Sequence, residues 1–194
     1  PNLGFDTFTS EEYMSGENLQ NPLGWVKDSV LTDEIVKCLD STEEPDYVYT
    51  ISVQGHGDYP DEPVLEDPQI TVSGAPTEEL NYKWEYYVNE IHEMDNFVKD
   101  LVNTLADYPE DVVLVMYGDH LPTMGLTVED LKNKYLFQTE YVIWDNMGLQ
   151  KKNENLASYQ IAAEVMDRVG IHDGTIFRYH QARRNTKNYQ VDLE

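Results

Sequence analysis

The sequence predicts an α/β sandwich around a mostly parallel sheet, and three observations lead to that fold class. Helix-type and strand-type patterns alternate along the chain, as is typical of helices packed on both faces of a parallel sheet. The run "VVLVMY" at 112–117 is short and almost wholly apolar, as in a strand buried on both faces. A chain of 194 residues is long enough for one sizeable core, so we expect a single domain over residues 1–194.

The first part of the chain contains three predicted elements. "TSEE" at 9–12 has the form of a capping box and predicts a short helix. Residues 31–40 carry apolar side chains at helical spacing on one face, which predicts a second helix. The run "YVYTISVQ" at 47–54 is rich in aromatic and β-branched residues and predicts a strand that ends at "GHGDYP".

A polar loop then leads to the strongest helical pattern of the chain, which ends at "DYPED" (107–111). One stripe at helical spacing contains Trp84, Val88, Ile91, Asp95, Val98, Val102 and Leu105. Because Asp95 lies on this apolar stripe, we expect its carboxylate to be buried and paired with a backbone group or a basic side chain.

Three further elements follow the "VVLVMY" strand. "TVEDLKNKY" at 127–135 predicts a capped helix, and "TEYVIW" at 139–144 predicts another strand. "LASYQIAAEVMDRVG" predicts a helix that stops at Gly170, a glycine in C-cap position.

Composition excludes some classes of function. Thirteen Lys and Arg stand against 37 Asp and Glu, which gives a net charge of -24 and no basic stripe for a phosphate backbone, so we expect no nucleic-acid partner. A single cysteine, Cys38, excludes a disulfide framework within the chain. No signal peptide and no apolar stretch of about 18 residues is present in the sequence.

The ends of two predicted strands carry the side chains of greatest chemical interest. His56 follows the first strand in "QGHGDYP", and Asp119 with His120 follows the second in "YGDHLP". Ligands of open α/β sheets lie outside the carboxyl ends of strands, so these side chains are candidates for one shared site. A carboxylate and an imidazole suit Zn or Mn, although such a pair can also be ordinary loop residues or turn caps.

Two ligands do not complete a catalytic metal site, which normally takes about three and also needs a nucleophile. No Ser, Thr, Asp or Glu stands out as that nucleophile, and Thr123 is interpreted as a turn residue. The sequence therefore predicts half of a site.

Several stretches in order resemble the sulfatase-like catalytic domain of lipoteichoic acid synthases and related phosphoglycerol transferases, in the alkaline phosphatase superfamily. The resemblance covers essentially all of the chain. The stretches that carry it are "LGFDTFTSEEYM", "LGWVKDSVLTDEIV", "DYVYTISVQGHGDYP", "YYVNEIHEMDNFVKDLVNTL", "VVLVMYGDHLP", "EYVIWDN" and "SYQIAAEVMDRVGI".

The resemblance implies roles for five residues. Asp119 and His120 match the pair that ligates a divalent metal, usually Mn in that family, with Zn or Mg as alternatives. His56 matches a histidine that contacts the phosphoglycerol group and helps to protonate the leaving group. Trp25 and Lys27, in "GWVKD", fall where the family has a tryptophan and a basic residue lining the headgroup pocket.

The resemblance also implies that the chain is the C-terminal portion of such a domain, a three-layer sandwich truncated on its N-terminal side. In the family, the threonine nucleophile, a metal-binding glutamate and a group of membrane helices lie upstream of "GFD". We therefore expect an isolated chain that is inactive and holds metal weakly. The expected parent is a membrane-anchored enzyme of a Gram-positive bacterium, at the extracellular face. It would move glycerol phosphate from a phosphatidylglycerol-like lipid to an envelope polymer or glycan through a threonine intermediate.

Other functions remain open at this point. A sulfatase or phosphatase that hydrolyses a soluble ester would share the fold. A phosphoethanolamine transferase is less favoured, because those proteins usually carry several disulfides. A non-catalytic surface or interaction module, in which Asp119 and His120 only cap a turn, is the alternative outside enzymes.

Overall fold

The computed structural model describes residues 3–14 and 20–193. Contacts divide the chain into two compact units. Unit 1 comprises Pro1–Pro109 and Tyr117–Glu140, and unit 2 comprises Glu110–Met116 and Tyr141–Glu194. A single domain over residues 1–194 therefore stays a prediction. In the described part of the chain, no helix combines the length and the apolar character needed to cross a bilayer.

Unit 1 is built around two helices. Helix α1 spans Leu31–Leu39 and is preceded by a 3₁₀ turn at Asp28–Val30. Helix α2 spans Glu78–Ala106 and begins at Thr77, whose side chain accepts a hydrogen bond from the Leu80 N–H group. The "TSEE" segment forms only a single 3₁₀ turn, Glu11–Tyr13, because the Ser10 hydroxyl donates to the Glu12 carboxylate instead of capping a helix.

The buried face of α2 differs from the predicted stripe. Phe97, Leu101 and Leu105 are buried at intervals of four residues, and Tyr86 is 1% exposed on the same face. Asp95 is exposed, so its predicted burial is wrong. Two polar residues, Asn89 and Glu90, belong to the buried face, as shown by their hydrogen bonds to loops. Counting apolar residues alone therefore placed the stripe at the wrong angle around the helix.

The predicted strand at 47–54 is extended, but it pairs with no strand in the described part of the chain. Its alternate side chains are exposed, at 73% for Tyr47, 54% for Tyr49 and 67% for Ile51. Phe5 stacks on Tyr47 with 5.9 Å between ring centroids. A β-type sequence forms a ladder only where a second strand supplies hydrogen-bond partners, and no described segment does so here.

The sheet consists of two strands, β1 at Val113–Tyr117 and β2 at Tyr141–Asp145. The Asn146 N–H group donates to the Val112 carbonyl at one end of the pair. At the other end, the Gly118 N–H group donates to the Glu140 carbonyl. This register pairs the start of one strand with the end of the other, so the two strands are antiparallel.

The expected three-layer sandwich around a mostly parallel sheet is therefore not seen in the described residues, which form a mixed α/β structure with a small sheet. Hydrophobic periodicity locates a strand, but it does not give the direction of its neighbour.

The predicted helix at 127–135 is absent. Asp130 caps a turn there, accepting from both the N–H and the hydroxyl of Thr127, and Lys134 has a positive φ of 57°. Val128, Leu131 and Tyr135 have helical spacing, but Val128 and Tyr135 are exposed, so no apolar face is packed here. Tertiary packing is what stabilises most short helices.

Unit 2 contains three helices after the sheet. Helix α3 spans Ile161–Arg168 and follows a 3₁₀ turn at Ser158–Gln160. As predicted, the helix stops at Gly170, which follows its C-cap and has a φ of +75°. Helices α4 at Thr175–Arg183 and α5 at Tyr189–Leu193 lie beyond the elements predicted from sequence.

A buried carboxylate holds unit 2 together. Glu164 on α3 is 1% exposed and accepts hydrogen bonds from Arg168, Arg184 and Lys152. The Arg168 Nε atom lies 2.8 Å from Glu164 Oε1. Burial acts to raise the pKa of Glu164, but the bonds to Arg168 and Arg184 outweigh it and lower that pKa from its usual range.

Candidate functional site

Unit 1 brings three of the predicted site residues together as a row of rings. The indole of Trp25 and the imidazole of His56 have centroids 5.1 Å apart at an interplanar angle of 56°. The imidazole of His120 lies 6.5 Å from that of His56, edge-on at 81°. Three loops that are distant in sequence therefore place their side chains at one surface location.

Asp119 and His120 stand at the exposed edge of this row. Asp119 Oδ1 lies 3.6 Å from His120 Nε2, and the two side chains are 82% and 56% exposed. His120 Nδ1 lies 2.8 Å from the Leu121 carbonyl oxygen. Because a carbonyl oxygen only accepts, the neutral tautomer that fits this contact carries its proton on Nδ1. Asp119 Oδ1 and His120 Nε2 are thus one oxygen and one nitrogen donor that lie close together.

Glycine allows the His56 loop to approach the loop after Asp119. A Cβ atom added at Gly57 would lie only 2.7 Å from Thr123 Oγ1, closer than real Cβ contacts. A Cβ atom at Gly55 would lie 3.3 Å from Ile91 on α2. A side chain at position 57 would therefore displace the Thr123 loop, whereas one at position 55 would require only a small shift of the Ile91 side chain.

Lys27 does not face the site as a free cation. Its ammonium group forms a salt bridge with Glu93 on α2, with 2.8 Å between Nζ and Oε2. The two side chains are 30% and 44% exposed. An anion that approached Lys27 would therefore compete with Glu93, and the pair contributes little net positive charge.

Buried polar residues beneath the row were not found from the sequence. Asn21, Asp28, Gln54 and Glu90 are each less than 5% exposed. The Asn21 side-chain oxygen accepts from the Trp25 N–H group at 2.9 Å. A buried polar residue in a loop has no periodic signature, so no sequence signal identified this group apart from the turn-forming "NPLG" around Asn21.

Two buried groups on α2, Glu90 and Tyr86, have perturbed acidity. Burial raises the pKa of Glu90, although a hydrogen bond from Asn21, at 3.2 Å, acts in the opposite direction. Burial and the nearby Glu90 also raise the pKa of Tyr86 well above its usual range. Both shifts favour the neutral forms of these two groups.

The metal-ligating residues form a partial set. Over residues 3–14 and 20–193, no group of three or more His, Cys, Asp and Glu side chains is arranged to hold a metal ion. The donor types of Asp119 and His120 fit a divalent transition metal, but a catalytic centre takes about three protein ligands. These residues therefore fit such a metal as part of its coordination shell.

Comparison with known proteins gives three findings. The model of the family described as "Sulfatase" matches residues 1–171. A protein of Rhizobium meliloti (strain 1021) named for cyclic beta-1,2-glucan modification is 27% identical, over 96% of this chain and 33% of its own length. The structure of the Streptococcus pyogenes phosphoglycerol transferase GacH in complex with sn-glycerol-1-phosphate is similar with a TM-score of 0.67 and 21% identity.

These matches cover only part of the length of the related proteins. The similarity to GacH covers 82% of this chain and 42% of that chain, and at 21% identity it shows a shared fold. The chain spans about a third of the length of the curated relative it matches. Most of this chain therefore has a known fold.

Proposed function

Because the chain belongs to the sulfatase family, we propose that it forms part of the catalytic domain of a metal-dependent phosphoglycerol transferase. The proposed reaction moves glycerol phosphate from a phosphatidylglycerol-like lipid to a cell-envelope polymer or glycan. The observation that carries this proposal is the convergence of Trp25, His56 and His120 from three separate loops, with 5.1 Å and 6.5 Å between successive rings. GacH, which shares the fold, was solved with sn-glycerol-1-phosphate.

Each residue of the row has a chemical role in this proposal. The imidazole of His56 is exposed, and it would pass a proton to the departing oxygen. Trp25 presents an apolar face to the glycerol carbons. Lys27 would contact the phosphate as a point charge, once the anion displaces Glu93 from its ammonium group.

Asp119 and His120 would supply two ligands of a divalent metal. The sulfatase family generally uses such a metal, and a carboxylate with an imidazole suits Mn or Zn. The resemblance to lipoteichoic acid synthases favours Mn, with Zn or Mg as alternatives. When bound, the metal would offset negative charge on the phosphoryl oxygens and activate a nucleophile. With two ligands described, we expect this chain alone to hold metal weakly and to be inactive.

The remaining features of the proposal concern a longer protein. A threonine nucleophile, a further carboxylate ligand and membrane helices would lie in polypeptide outside these residues, and the enzyme would work at the extracellular face of the membrane. There, the two-stranded sheet would belong to a larger three-layer sandwich.

Paramagnetic broadening by Mn²⁺ tests the metal site in the 194-residue chain. The expected result is that amide signals of residues 118–121 broaden at the lowest Mn²⁺ concentrations, and that Asp119→Asn abolishes this preference. Glu129→Gln is the matched control, because Glu129 is an acidic residue whose side chain is 83% exposed. With a net charge of -24 the chain attracts cations over its whole surface. Uniform broadening across the acidic surface, without a preference for residues 118–121, would therefore count against the site.

Titration with sn-glycerol-1-phosphate in the same spectra tests the substrate class. We expect the His56 ring and the Trp25 indole signals to shift together and to saturate. If methyl sulfate shifts these signals while glycerol phosphate does not, a hydrolytic sulfatase is the better function. If neither ligand shifts them, the row of rings is not a headgroup site.

A further inference from the structure

Two loops that carry predicted site residues are locked together by a buried carboxylate. Asp28 follows Lys27 directly, is 1% exposed and has both carboxylate oxygens engaged. Its Oδ2 atom accepts from the Ser52 hydroxyl at 2.7 Å, and its Oδ1 atom accepts from the backbone N–H of Val53 at 3.2 Å and of Gln54 at 3.4 Å. All of these donors lie just before His56.

The attachment is reciprocal. The Gln54 side chain is also 1% exposed, and its Oε1 atom accepts from the Asp28 N–H group at 2.9 Å. Its Nε2 atom donates to Glu93 Oε2 at 2.6 Å, and Glu93 in turn binds Lys27. The Asn21 amide donates to the Gln54 carbonyl at 3.3 Å, which adds another bond between the same two loops.

These bonds explain why the rings meet. Loop 21–28 carries Trp25 and Lys27, and loop 52–57 carries His56, yet the two loops are joined by no strand ladder. A carboxylate that accepts from two backbone amides and a hydroxyl makes charge-assisted bonds, which are stronger than neutral ones. Asp28 is too deeply buried to touch a ligand at the surface, so its effect must pass through the loops.

We propose that Asp28 is a positioning residue: its buried carboxylate sets the distance between the Trp25–Lys27 loop and the His56 loop, so that one phosphoglycerol group meets all three side chains. This inference rests on the proposed function for the identity of the ligand. The positioning itself is independent of any ligand and is measurable in the chain alone.

Asp28→Asn is the informative variant. An amide has the same shape and keeps one oxygen for the Val53 and Gln54 N–H groups, so the fold is retained, but its charge and its second acceptor are lost. Asp33→Asn is the matched control, because it is the same substitution at an exposed position of α1. Ser52→Ala removes one of the three donors to Asp28 and gives an intermediate case.

Two signals are followed in the full 194-residue chain. The first is the ring-current shift that the Trp25 indole causes on the His56 ring protons, which we expect to fall in Ser52→Ala and further in Asp28→Asn, and to remain in Asp33→Asn. The second is the affinity for sn-glycerol-1-phosphate, which we expect to fall about tenfold in Asp28→Asn, as for the loss of one charge-assisted bond.

The two signals separate the possible failures. If the ring-current shift is unchanged in Asp28→Asn, the positioning role is overturned. It is also overturned if the shift disappears only together with the dispersion of the whole spectrum, because Asp28 then serves general stability. If the wild-type chain binds no glycerol phosphate, the proposed function fails, while the ring-current series still decides the role of Asp28.

Discussion

Replacement of Glu164 by glutamine gives the sharpest test of what stabilises unit 2. Glu164 is 1% exposed, and two of its partners are also largely buried, with side-chain exposures of 13% for Arg168 and 8% for Arg184. Removing one member of a buried ion pair leaves the remaining charge without compensation and costs about 3–5 kcal/mol. Glutamine keeps the volume and one acceptor, so we expect a loss near the lower figure, about 3 kcal/mol.

The measurement is urea unfolding of the full chain, with hydrogen exchange used to locate the effect. Unit 2 has 61 residues, so a loss of this size would be a large part of the stability of a unit with about 0.05–0.15 kcal/mol per residue. Peptides from α3 and α4 should lose protection, while peptides from α2 keep it. Glu129→Gln, which breaks an exposed pair with Lys134 at 3.1 Å, is the control and should change nothing measurable. A loss below about 1 kcal/mol for Glu164→Gln, or equal loss in the control, would refute the reasoning.

Four further outcomes are expected. The lowered pKa of Glu164 contributes stability that is present above its unfolded pKa and lost as pH falls through the folded pKa, so acid should destabilise unit 2 in the wild type more steeply than in Glu164→Gln; parallel pH profiles by circular dichroism would contradict this. Leu101→Ala, at a site 2% exposed, should cost about 2–5 kcal/mol in urea unfolding, and a cost below about 1 kcal/mol would mean that α2 is not packed there. Thr77→Ala should cost about 1 kcal/mol by loss of the α2 cap, with fraying seen as faster amide hydrogen exchange at residues 78–81. Unchanged exchange would show that the Thr77 side chain does not stabilise the start of α2. Ile51→Lys, at a site 67% exposed, should leave the free energy of unfolding unchanged and reduce binding of the dye ANS, and a clear loss of stability would show that the segment is packed.

The sequence predicted the elements whose own pattern is sufficient to define them. "VVLVMY" gave β1, "EYVIW" gave β2, and the periodic runs gave α1, α2 and the end of α3 at Gly170. It failed where a local signal had no packing partner, as at 127–135, where the Thr127 and Asp130 cap closes a turn and no helix follows. It also failed to orient α2, because its buried face includes Glu90 and excludes Asp95.

The candidate site divides in the same way. Residue type and position after an apolar run were enough to single out His56, Asp119 and His120, since the ligand chemistry of a side chain is set by the residue itself. Their functional roles remain a prediction. Residues in the supporting layer, such as Asp28 and Gln54, look like ordinary polar loop residues in the sequence, because their importance comes from burial and from partners about 25 positions away.

By itself, the sequence determined which side chains could ligate a metal or transfer a proton, that the chain carries a net charge of -24, and where its main helices and strands lie. Only the tertiary structure decided that the rings of Trp25, His56 and His120 stand within 5.1 Å and 6.5 Å of their neighbours, that Lys27 is paired with Glu93, and that the two strands run antiparallel. The physical reason is that periodicity and residue type are local properties. Distances between loops are fixed by buried hydrogen bonds between residues far apart in the chain, and no local pattern encodes them.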